Sequence, residues 1–83
     1  MKIKVKAAPH KKEEVEINTD FIQLQAFLKF MGIAETGGQA KEMIYDGIIK
    51  VNGEVCTSRG KKLRNGDVVS AFATDYTIKN ENQ

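Results

Sequence analysis

The segment from Thr36 to Val69 constrains the fold more than any other part of the chain. Thr36 and Gln39 stand at capping-box spacing, with Thr36 as N-cap and Gln39 at N3. Ala40, Met43 and Ile44 follow at i, i+3 and i+4, one stripe of a helix. Gly47 suits the position just past the helix end, where the backbone turns left-handed. Lys41 and Tyr45 are four apart and share a face away from that stripe. The run Ile48-Ile49-Lys50-Val51 reads as a strand, and Asn52-Gly53 as the turn of a hairpin. Asn65-Gly66-Asp67 marks a further turn before a strand over Val68–Phe72. The spacing predicts a capped helix, a hairpin, a basic loop and a strand as one unit.

The hairpin leaves one point open. A two-residue turn sets Val51 against Glu54 and Ile49 against Cys56, with Val55 on the face of Lys50. A bulged turn reverses that assignment. The burial of Cys56 depends on which of the two forms.

Upstream, Ile3, Val5 and Ala7 alternate with Lys2, Lys4 and Lys6, the pattern of a half-exposed strand. Pro9-His10-Lys11-Lys12 reads as a turn, and Val15 and Ile17 resume the alternation. Residues 2–18 are therefore expected to form an N-terminal β-hairpin, an extension over 1–20. Thr19-Asp20 offers an N-cap for a first helix. Leu24, Phe27, Leu28 and Met31 keep helical spacing and should face the core, with Gly32 ending the helix. The main domain is expected over 21–73. A polar C-terminal tail follows over 74–83, with Tyr76–Lys79 as an edge strand and fraying from Asn80.

The chain has 83 residues and a net charge of +2, enough for one small domain. The distribution of charge says more than its total. Arg59, Lys61, Lys62 and Arg64 fall within one short run that holds no acid, whereas the N-terminal lysines are balanced by Glu13, Glu14, Glu16 and Asp20. A lone cysteine excludes an internal disulfide and fits a reducing compartment. No apolar run has transmembrane length, and the N-terminus lacks the apolar stretch of an export signal. The expected location is the cytoplasm.

No catalytic pattern is present: neither GxSxG, nor HExxH, nor a Walker loop. Cys56 has no histidine near it in sequence, so no metal site is expected, and no cofactor is implied. His10 sits in a polar turn and reads as solvated. Asp46 and Asp67 border turns and read as turn-forming.

Two features suit phosphate. Arginine can fork onto a phosphate and lysine acts as a compact cation, so Arg59, Lys61, Lys62 and Arg64 form one candidate, with Gly60 leaving the loop backbone open. The N-terminus of the second helix, at Thr36, Gly37 and Gly38, presents free N–H groups. The plain alternatives are a solvated loop and a simple helix cap. Tyr45 can stack on an unpaired base or cover the core with its hydroxyl in water. Lys29 lies off the Leu24–Phe27–Leu28 stripe and is expected at the surface.

Taken together, these residues resemble an S4-type RNA-binding domain. The resemblance is carried by Leu24, Phe27 and Leu28, then Thr36, Ala40-Lys41, Ile44, Asp46-Gly47, Lys50-Val51-Asn52-Gly53 and Leu63 through Val69. The variant is similar to the small stand-alone proteins of the YaaA/YbcJ group. It implies an α+β fold, with two short packed helices against a small antiparallel sheet. It also implies that Lys41 and Lys50 occupy positions that commonly face RNA. Two departures stand out. S4-like domains often carry an arginine where Gly37 stands, and often begin the first helix Arg-Leu-Asp where this chain has Gln23-Leu24-Gln25. S4-like domains also occur as appendages on RNA-modifying enzymes, where a separate larger domain does the chemistry.

The expectation is a non-catalytic, monomeric protein that docks structured RNA of the ribosomal or transfer type. A protein-interaction module with weak RNA affinity, anchored at Ile48, is the alternative. An exposed edge of the N-terminal hairpin is the route by which a dimer would form.

Overall fold

The computed structural model of the chain describes residues 11–80. Its elements are β1 (Lys11–Glu16), β2 (Ile22–Gln23), α1 (Leu24–Phe30), α2 (Gly37–Tyr45), β3 (Lys50–Val51), β4 (Glu54–Val55), β5 (Lys62–Leu63), β6 (Val68–Ala71) and β7 (Thr74–Lys79). Five strands make one sheet in the order β1-β7-β6-β3-β4, and β2 pairs with β5 in a second. This is the α+β architecture expected, with one difference. The large sheet is mixed, because β1 runs parallel to β7 while its other pairs are antiparallel.

The helices end as their sequences dictate. At the end of α1 the Ile33 N–H reaches the Leu28 carbonyl and the Gly32 N–H the Lys29 carbonyl. This is a Schellman closure, with Gly32 at φ 76°. Gly47, at φ 78°, closes α2. The side chain of Thr36 caps α2 by accepting the Gln39 N–H at 3.0 Å. The Gln39 amide oxygen reaches back to the Glu35 N–H at 2.7 Å, one residue earlier than in a reciprocal capping box.

The core joins both helices to the sheets. Leu24, Phe27 and Leu28 come from α1; Ala40, Met43 and Ile44 come from α2. Ile49, Val51, Leu63, Val69 and Ile78 close it from the strands and their flanks. Phe27 meets Tyr76 edge-on, with ring centroids 5.7 Å apart. The β3–β4 turn has two residues, Asn52 and Gly53, both at positive φ. Cys56 therefore follows the first of the two registers: its N–H donates to Ile49 and its side chain is half-buried. Val55 faces outward beside Lys50.

Five expectations need correction. Thr19-Asp20 does not cap α1, which starts at Leu24, because Ile22 and Gln23 are drawn into pairing with Leu63 and Lys62. Lys11 and Lys12, read as part of a turn, open β1; the first strand of the expected hairpin, with Pro9 and His10, lies outside the described residues. Residues read as the start of a polar tail form β7, which is not an edge strand but lies between β1 and β6 with Ile78 fully buried. Asn80 is buried too, its N–H on the Asn65 side chain at 2.9 Å and its own amide on the Thr19 carbonyl. The alternation of Tyr76 and Ile78 marks the strand; its polar neighbours conceal that it lies inside the sheet. Finally, β6 stops at Ala71. Phe72 and Ala73 turn at φ 51° and 64°, two non-glycine residues in left-handed geometry.

Candidate nucleic-acid interface

The basic loop is held by the helix it faces. The first N–H groups of an α-helix lack partners within the helix. In α1 no side chain caps them. Instead Leu24 N–H donates to the Lys61 carbonyl at 2.8 Å, and Gln25 N–H to the Arg59 carbonyl at 3.1 Å. The adjoining ladder pairs Ile22 with Leu63 and Gln23 with Lys62. Leu63 is fully buried and anchors the strand. The backbone of the loop is thus fixed against α1, and the first two N–H groups of that helix are taken.

The basic run does not form one patch. Lys62 and Arg64 rise on the same side of β5 over the ring of Phe21, with Lys62 Nζ 4.8 Å and Arg64 Cζ 5.4 Å from its centre. Lys61 instead lines a hollow with Asn52, Glu54, Cys56 and Ser58. Arg59 is exposed beside the start of α1. Leu63, between the cations, points inward.

At the other candidate, Thr36 forms its cap as expected. Gly37 and Gly38 have ordinary negative φ, so no turn requires glycine there. A Cβ at Gly37 would meet nothing within 4 Å, and one at Gly38 only Thr36 Oγ1 at 3.9 Å. The effect of these glycines is to leave their own N–H groups, at the start of α2, uncovered by a side chain. A shallow hollow between the helices is lined by Gln23, Gln25, Ala26, Lys29 and Gly37. Gln23 also pairs with Lys62, so one residue links Lys29 and the α2 end to the basic loop.

Lys41, Tyr45 and Lys50 do not line that hollow. Lys41 Nζ lies 5.9 Å from the Tyr45 ring, as their helical spacing predicts. Tyr45 is 55% exposed, so it does not cover the core. Lys50 is exposed on β3, opposite Val55 and Ser70.

Two residues escaped notice as parts of this surface. Phe21 precedes a strand too short to show an alternation. Asp67 reads as a turn residue, which it is, but it also fixes the loop. Its carboxylate accepts the Arg64 N–H at 2.8 Å and the Asn52 side-chain amide at 3.1 Å. Asn52 in turn accepts the Val68 N–H at 2.9 Å. Among the described residues no group of three or more His, Cys, Asp or Glu could hold a metal. No helix there is long and apolar enough to cross a membrane.

Comparison with known proteins agrees with this architecture. The chain is 40% identical over 55 residues to the probable ribosome maturation protein RlbA of Bacillus subtilis (strain 168), a match covering 66% of this chain and 78% of that relative. A family model described as the S4 domain matches residues 15–79. That match runs from within β1 to the end of β7 and takes in both helices and the basic loop, so the chain belongs to the S4 domain family.

Proposed function

We propose that this chain is a non-catalytic RNA-binding protein of the cytoplasm. It docks on structured RNA of the ribosomal or transfer type, as a monomer, in association with the ribosome. The observation that carries the reading is the locked basic loop: the Arg59 and Lys61 carbonyls cap α1 and so fix the backbone from which the four cations project. Arg59, Lys61, Lys62 and Arg64 contact phosphates. Thr36, Gly37, Gly38 and Lys29 supply a helix end and a cation beside the hollow. Lys41, Tyr45 and Lys50 extend the contact along α2 and β3. Recognition is of shape and phosphate position, because the deep groove of A-form RNA hides its base edges. Membership of the S4 domain family and the name of the Bacillus subtilis relative support the same reading.

A second reading rests on Ile48, which is 46% exposed near exposed Tyr45 and Val55. Under it the chain is a protein-interaction module with weak RNA affinity. Crosslinking in cells followed by sequencing of the attached RNA separates the two. Enrichment of one structured RNA, abolished by Lys61→Glu with Lys62→Glu and kept in Ile48→Asp, supports RNA docking. No enrichment above background, with loss of function in Ile48→Asp, moves the assignment to the protein partner.

A further inference from the structure

We infer that Phe21, Lys62 and Arg64 form a phosphate clamp in which the Phe21 ring is the positioning residue, an inference that rests on the RNA-binding reading above. The ring sits in a fixed frame. Ile22 pairs with the fully buried Leu63, so one step further along the same antiparallel ladder Phe21 stands opposite Arg64. Gln23 pairs with Lys62, which puts Lys62 on the same face as Arg64 and diagonal to Phe21. The Phe21 carbonyl accepts the Thr19 hydroxyl at 2.8 Å, which holds the backbone on its other side.

Both cations then gather on one aromatic ring, at 4.8 and 5.4 Å from its centre. A cation is drawn to the electron-rich face of an aromatic ring. Two like charges sharing one ring repel each other. Neither forms an ion pair among the described residues, where the ion pair seen is between Lys79 and Glu14. The carboxylate of Asp67 is engaged by the Arg64 backbone N–H and by Asn52. A phosphodiester group lying between the two side chains relieves the repulsion, and the arginine fork adds direction to the contact. Long flexible side chains otherwise lose rotamer freedom when they bind; the ring removes part of that cost beforehand.

The clamp is tested on the full chain with ribosomal RNA from Bacillus subtilis as the probe. Phe21→Leu keeps an apolar side chain but removes the ring, and is expected to weaken binding about fivefold, equivalent to about 1 kcal/mol. Phe21→Trp keeps a stronger cation-binding face and should bind at least as tightly as the parent. Equal binding by Phe21→Leu and the parent, with Lys62→Gln and Arg64→Gln both weakened, overturns the clamp and leaves the RNA reading intact. Equal weakening in Phe21→Leu and Phe21→Trp also overturns it. No binding by the parent chain overturns the RNA reading and the clamp together. A measurement on the unaltered protein guards against a variant that does not fold. The side-chain methylene protons of Lys62 and Arg64 should be shifted upfield by the ring relative to those of Lys61. Their absence from the ring-current region refutes the arrangement directly.

Discussion

The Asp67 carboxylate receives the backbone N–H of Arg64 at 2.8 Å and so sets where the basic loop ends. Its other oxygen receives the Asn52 side chain at 3.1 Å, which joins the β3–β4 turn to the same point. A turn residue thus ties together two loops that are distant in sequence.

Replacing Asp67 with alanine removes both bonds and leaves two donors to find water. The expected cost is about 2 kcal/mol of stability. Urea denaturation measures it, and a midpoint unchanged from the parent contradicts the tie. RNA binding should fall as well, since Arg64 loses its anchor.

The uncovered end of α2 gives a test that separates stability from function. Gly38→Ala has room for its methyl and no left-handed backbone to oppose it. It should raise stability by about 0.5 kcal/mol through the unfolded chain. If the first-turn N–H groups meet phosphate, the same variant binds RNA more weakly. Unchanged affinity with raised stability removes this helix end from the binding surface.

The Phe72-Ala73 turn holds two non-glycine residues at positive φ. Each costs roughly 1–2 kcal/mol relative to a right-handed conformation. Ala73→Gly should therefore raise the thermal midpoint, with a gain of about 1 kcal/mol. A lower midpoint would mean that contacts of the Ala73 methyl outweigh the strain.

Ionic strength tests the phosphate contacts as a set. With about four phosphates neutralised and a slope near −0.7 for each, affinity should fall ~50-fold between 50 and 200 mM salt. Affinity measured by filter binding that stays flat over this range contradicts phosphate docking. Neutralising Lys62 alone should reduce the slope by about one contact.

The helices were legible because their signals are local. Thr36 with Gln39, the Ala40–Met43–Ile44 stripe and Gly47 are all decided within one or two turns, and Asn52-Gly53 decides its own hairpin. What stayed hidden depends on partners far along the chain. Ile22 and Gln23 become a strand only because Leu63 and Lys62 arrive beside them. Nothing in the sequence near Thr19 says that a helix must start later for that reason. The inner position of β7 was obscured because its outward residues are polar and its neighbour β1 is the charged run from Lys11 to Glu16. The basic loop was visible as charge, but its division into a Phe21 side and a Lys61 side is a property of the ladder.

The parallel pairing of β1 with β7 has a consequence for the order in which the molecule is made. Strand β7 is inserted between the earliest described strand and β6, so the sheet has a gap until the last of its strands has been synthesised. The β3–β4 hairpin needs no such wait, since its two strands are adjacent in sequence. Closing the sheet demands contacts of high sequence separation, which slows folding. A nascent chain stalled at Ala73 would lack the Tyr76 ring that packs on Phe27, with the edges of β1 and β6 still open. Closure of the sheet thus waits on the six residues of β7.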